Sequence, residues 1–297
     1  MSPDAHEQDT VPVVHMIPRR YAALGLIIVA IILLAALVII RHKDNTNIQP
    51  TTAETFSPAP SSLMQSLAQV PASASNAVGV TTPNSSTVAP VATRNPSMWT
   101  TSTRHAASVP VVFFYGAEFA PYAAAERWPL IVALSRFGSF GHVGLMQSSG
   151  SDAFSDTDTF TLSHATYSSV WVVLQADERY STLIPTGSGY TSLQKPTRRQ
   201  AASVAAYDTS ATTFPLLDIA NRYVLVGSSF SPSILAGLSQ SQIAADLSVP
   251  ENPVAQAVLA SANEITAGVC AVTGQRPTKV CHARGVLAAD QKMHLKH

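Results

Sequence analysis

The chain has 297 residues, balances 18 Lys and Arg against 18 Asp and Glu, and is only 12% charged, well under the ~25% usual for soluble domains. That balance argues against a nucleic-acid partner, because phosphate binding draws on clustered cations. The one cluster in the globular part, Lys195, Arg198 and Arg199, reads as a solvated loop.

Residues 1–20 form a short N-terminal tail. Residues 21–40, YAALGLIIVAIILLAALVII, carry no charge and at the helical rise span the ~30 Å of a bilayer core. They are expected to be an uncleaved transmembrane helix rather than a signal peptide, whose apolar region is usually ~7–15 residues. Arg19 and Arg20 before the span and Arg41 and Lys43 after it leave the positive-inside comparison tied. Cys270 and Cys281, an even pair suited to a disulfide in an oxidising compartment, favour a cytoplasmic tail and an extracytoplasmic remainder.

Residues 41–108 are rich in Ser, Thr, Pro and Ala, a composition expected to stay a disordered linker because it buries too little apolar surface to offset ordering. Within it, residues 61–70 place Leu63, Met64, Leu67 and Val70 on one side of a short helix, marginal alone. Asn84-Ser85-Ser86 matches a glycosylation sequon.

From residue 109 to 297 short apolar runs alternate with helical periods, which predicts an α/β domain. Residues 111–115 form a strand buried on both faces. The helix after it carries Trp128, Leu130, Ile131, Leu134 and Phe137 and ends at Gly138, with Pro129 kinking it. Residues 142–146 and 169–174 are the next strands, followed by a polar insertion to Pro196 and a helix near 200–207. Residues 216–219 and 222–226 form a hairpin, and helices at 233–247 and 252–269 close the chain. This order is thioredoxin-like with extra pieces.

The corner between the first strand and its helix is the usual setting of a C-x-x-C motif, and here it reads Ala120-Pro121-Tyr122-Ala123. Thiol-disulfide exchange needs a thiolate, and a methyl group is neither nucleophile nor leaving group. The positive end of the helix is a backbone property that survives the change, so an anion or a peptide carbonyl remains a candidate ligand; an inherited shape without a ligand is the alternative. Glu118, Glu126 and Arg127 flank the turn and read as structural. No Gly-x-Ser-x-Gly elbow or His-Glu-x-x-His occurs, and the nine histidines, His105, His142, His164 and His282 among them, lack ligand spacing. No metal and no cofactor are expected. Cys270 and Cys281 enclose ten residues, and a bridge there stabilises by roughly 3 kcal/mol as a structural staple; a second redox pair is the rival reading.

Three stretches, residues 115–140 (YGAEFAPYAAAERWPLIVALSRFGSF), 214–243 and 262–281, resemble the family known as domain of unknown function 929, membrane-anchored thioredoxin-like proteins of archaea and bacteria. The resemblance implies that Ala120 and Ala123 stand where that family has two redox cysteines, with Pro121 and Tyr122 unchanged. It also implies that Pro215 stands at the cis-proline position beside the active site, where neighbouring backbone pairs with an extended peptide. The leading expectation is a membrane-tethered, non-catalytic module that binds exported polypeptides or a membrane partner over Pro121, Tyr122 and Pro215. A thiol-disulfide oxidoreductase family member whose cysteines are lost or engineered away is the alternative, and a structural spacer is the third reading.

Overall fold

The chain divides into two units, Met1–Pro50 and Thr51–His297. The computed structural model describes residues 56–82, 87–95, 97–103, 108–184, 189–207 and 213–296. The expected tail, the expected transmembrane helix at 21–40 and the Asn84 sequon lie outside the described residues.

The protein is a mixed α/β fold organised by β4 (Val109–Gly116). Its alternate residues serve two cores: Val112 and Phe114 join the larger one, while Val111, Phe113 and Tyr115 join a smaller one with Trp99, Val204 and Leu216. A strand covered on both faces must be apolar at every position, which is why VVFFY shows no alternation. Strand β9 (Val173–Glu178) lies parallel to β4, and β10 (Leu216–Ile219) lies antiparallel on its other side. β10 turns into β11 (Tyr223–Val226) through Ala220, Asn221 and Arg222; Ala220 and Asn221 are at positive φ (53° and 57°), and Arg222 N donates to Ile219 O at 2.9 Å to close the turn. Short β2 (Val91–Ala92) extends the sheet beyond β11, and β3 (Thr100–Thr101) pairs the first residues of β4.

The larger core lies between this sheet and two long helices, α3 (Pro121–Leu134) and α6 (Pro253–Val272). Both are apolar nearly all round, as buried helices are. α6 starts with Pro253 at its first turn and Asn252 as cap, the carboxamide oxygen accepting from Val254 N at 2.8 Å. By length and composition α6 could cross a membrane, yet it is mostly buried inside the fold, as a core helix is. Helix α4 (Arg198–Tyr207) covers the smaller core.

Between α3 and β9 the chain inserts β5 (Gly138–Gly141), β6 (Gly144–Gln147), β7 (Asp158–Thr161) and β8 (Thr166–Ser169), pairing β5 with β8 and β6 with β7. Trp128 fastens this insertion to α3: its ring meets Phe160 at 4.6 Å and its indole N–H donates to Asp158 O at 3.1 Å.

Four expectations need correction. The described part of the expected linker is folded: α1 (Ser61–Ala68) and α2 (Ala72–Ala77) bury Leu67 and Ala74, β1 (Ser57–Pro58) pairs β6, and the Trp99 ring lies 5.5 Å from that of Phe113. Sparse apolar residues suffice when a surface already exists to receive them, so packing supplies what eight helical residues lack alone. The strand expected at 169–174 is two strands, separated where the Ser169 hydroxyl oxygen accepts from Trp171 N at 3.0 Å. β9 then runs into Asp177 and Glu178, whose charge concealed it. The helix expected at 233–247 is a 3₁₀ turn, Pro232–Leu235, and α5 (Gln240–Asp246), divided at Gly237 with φ 74° and restarted by a Ser239–Gln242 capping box. Finally, α3 stops at Leu134 rather than at Gly138 and passes through Pro129 as one helix; Gly138 belongs to β5, where a Cβ would collide with Ser168 O.

Candidate binding site

The corner is built from the last residue of β4 onward. Gly116 is required there, because a Cβ would stand 2.6 Å from the Phe114 ring and 2.8 Å from Glu178 Oε2. The turn 117–120 closes with Ala120 N donating to Ala117 O at 3.2 Å, and α3 begins at Pro121 with Ala124 N donating to Ala120 O at 3.0 Å. Ala120 is the cap residue and offers no side-chain cap.

Tyr122 stands out at this corner: it is 43% exposed, whereas Ala120 is 6% exposed and Ala123 0%, and Pro121 and Pro215 are buried. Of the three residues expected to form a binding floor, only Tyr122 is exposed. Pro215 follows a cis Phe214–Pro215 bond, and its carbonyl accepts from Gly227 N at 2.7 Å.

Aromatic rings join the two segments. Phe119 in the turn meets Phe214 edge-on at 5.9 Å and stacks on Tyr190 at 3.8 Å, while Phe214 also lies 5.2 Å from Tyr115 and 6.2 Å from Tyr180. Tyr122 meets Phe154 edge-on at 5.9 Å, and Phe154 is 37% exposed. Such rings offer large apolar area with a defined edge-and-face geometry. Sequence reasoning missed Phe119, Phe154, Tyr180, Tyr190 and Phe214. Phe119 and Phe214 adjoin the motif positions and could have been found from that; Phe154 and Tyr190 arrive from polar loops whose sequence carries no such signal.

Buried charge underlies the turn. Arg127 forks onto Glu178 with Nε to Oε1 at 2.8 Å and Nη2 to Oε2 at 2.7 Å, and Nη2 also donates to Ala117 O at 3.0 Å, so the ion pair holds the turn to helix and strand. Glu118 accepts from the Thr161 hydroxyl. Glu126, fully buried, accepts at Oε2 from Ser229 N (2.8 Å) and Ser229 Oγ (2.6 Å), while Oε1 has no partner. Burial raises its pKa to about 7 against the pull of the Ser229 bonds, and the Glu264 carboxylate adds to the rise. Asp177, at the end of β9, is raised to about 6, chiefly by burial.

Cys270 and Cys281 are joined by a disulfide across 5.6 Å between Cα atoms, from the end of α6 to α7 (Thr278–Cys281). Among the described residues no group of three or more His, Cys, Asp or Glu could hold a metal ion. A groove of about 870 Å³ between α1 and α5, lined by uncharged residues such as Ser62, Gln65 and Gln240, contains no residue of the corner. Chemically the corner offers aromatic contact, with methyl side chains at Ala120 and Ala123.

Fold and site together define an α/β protein with an aromatic, sulfur-free corner between its central strand and first core helix. Residues 101–181, a segment that contains the corner, match the family model described as Domain of unknown function (DUF929). Comparison with curated proteins and with solved structures gave no match.

Proposed function

We propose that the protein is a thioredoxin-like module that binds extended polypeptide at the corner without exchanging disulfides. The strand arrangement supports the fold reading: β4 and β9 run parallel on either side of the connection containing α3, followed by the antiparallel β10–β11 hairpin and α6. The observation that carries the functional reading is the corner itself, with methyl groups at Ala120 and Ala123, an exposed Tyr122–Phe154 pair, and Pro121 and Pro215 buried. The apolar run at 21–40 and the paired cysteines support an extracytoplasmic module held at the cell membrane.

The test is fluorescence anisotropy of labelled, carboxymethylated insulin B chain titrated with the full chain in detergent micelles. Tyr122→Ala is expected to weaken binding about tenfold, the effect of removing an exposed aromatic anchor, and to leave the thermal midpoint within about 2 °C, because the ring packs on the surface. Absence of saturable binding by the unaltered chain would refute the reading. The alternative reading, an oxidoreductase scaffold that has lost its cysteines, rests on the same corner and is tested by restoring them.

A further inference from the structure

Strand β9 has an open side. It pairs β4 in parallel along Val173–Glu178, and no other strand pairs it among the described residues. In a parallel ladder each residue turns its N–H and C=O to the same side, and the side alternates. Arg179 N donates to Gly116 O at 2.8 Å, so odd-numbered residues face β4. Glu178 faces outward, where its N–H reaches Gln194 Oε1 at 2.7 Å and its C=O accepts from Gln194 N at 3.2 Å. Ala176 and Leu174 therefore face outward too. Their two N–H and two C=O groups have no partner among the described residues, and both residues are only half-buried.

Sheet edges are commonly protected by charge, proline or a bulge, and residues 173–176, Val-Leu-Gln-Ala, carry none of these side chains. The chain's own cover stops short: residues 191–194 bond the backbone of 178–183, and the segment then meets Pro196, which has no N–H, and passes into α4. At the other end Val172 N is taken by Ser169 Oγ at 3.4 Å. Four backbone groups without a partner among the described residues thus remain between the two covered ends.

We infer that this edge receives an extended peptide as an added strand. Side chains opposite Leu174 and Ala176 fall on the face where those residues and Trp171 pack against the larger core, so the fitting segment is uncharged with apolar residues at alternate positions. A second copy of the chain fits poorly. Two-fold pairing of Leu174 with Ala176 sets Glu178 of the added copy opposite Val172, and the Gln194 that covers that glutamate then collides there. A free peptide carries no such cover. The edge is independent of Tyr122, so the corner and the edge are separately testable.

The experiment titrates the full chain in detergent micelles into a fluorescein-labelled octapeptide of alternating valine and threonine, and into the same peptide N-methylated at alternate amides. Saturable binding is expected, weakened about tenfold by N-methylation and about tenfold by Ala176→Pro, which deletes one outward N–H at a position where an edge strand tolerates proline. The N-methylated peptide should bind more weakly than its parent in the Tyr122→Ala variant as well. Amide exchange in the unaltered chain should slow at Leu174 and Ala176 when the peptide is added, a readout that needs no variant to fold. Absence of saturable binding, equal affinity of the methylated peptide, or unchanged exchange at both residues would overturn the inference. So would loss of binding in Tyr122→Ala alone, which places the peptide at the corner, or a peptide-free dimer that already protects both amides.

Discussion

Replacing Arg127 with methionine is expected to destabilise the protein by about 3–5 kcal/mol, read as a lowered denaturant midpoint at unchanged slope. Both partners of the Arg127–Glu178 pair are fully buried. Removing the guanidinium leaves a carboxylate without its counter-charge in a low-dielectric interior, and among the described residues the side chain of Glu178 keeps only the Leu162 N–H, at 3.3 Å, as a donor to Oε1. The cost comes from stranding one charge, not from the intrinsic worth of the pair, since desolvating both ions offsets most of their attraction. The double replacement Arg127→Met with Glu178→Met should therefore recover most of the lost stability. Because Nη2 also holds Ala117 O, the single variant should loosen the turn before Ala120, seen as faster amide exchange there.

Stability should fall as pH rises from about 5 to about 8, and Glu126 should account for much of the fall. Its carboxyl has an ordinary value of 4.5 and is raised to about 7 in the folded protein, so between those values the folded state holds a proton that the unfolded state has released. Stability then decreases with pH: the contribution is complete below about 4.5 and is lost as pH passes through about 7. A shift of that size corresponds to at most about 3 kcal/mol. The groups facing the carboxyl explain the balance. Burial and Glu264 disfavour the charge, while Ser229 and Ser228 favour it; Glu264 is itself held by Lys292 at 2.5 Å and by the Thr87 hydroxyl at 2.8 Å. Glu126→Gln keeps an acceptor for Ser229 and removes the titration, so its stability should be markedly flatter across the same range. The remaining slope has the same sign, because Asp177, Asp158 and Asp218 are also raised by burial. A Glu126→Gln variant as pH-dependent as the unaltered chain would place the titration elsewhere.

Where one physical demand dominated, the fold was legible in the sequence. The unbroken VVFFY run has a single explanation, a strand covered on both faces, and the Ala220-Asn221 pair between two apolar runs marks a tight hairpin. The long apolar helices α3 and α6 were legible for the same reason. The folding of residues 56–103 onto the domain was not, because Leu67, Ala74, Val78 and Trp99 are dispersed among polar residues and are buried only by surfaces distant in sequence. β9 was half concealed because its last residues, Asp177 and Glu178, are acidic, and the charge of Glu178 is answered by Arg127, some fifty residues earlier in the chain. Residues Ala120 to Ala123 lie at the start of the helix after β4, as the apolar run followed by a helical period implied. The aromatic surface around them was not legible, since Phe154 and Tyr190 are brought there by loops.

Whether the corner, proposed to bind peptide, exchanges no electrons is decided by insulin reduction with dithiothreitol, followed as turbidity with and without the full chain. The unaltered chain is predicted to leave the rate at that of buffer, while Ala120→Cys with Ala123→Cys accelerates it on an intact scaffold. Acceleration by the unaltered chain would contradict the account, because it would require a reactive sulfur that the corner does not contain.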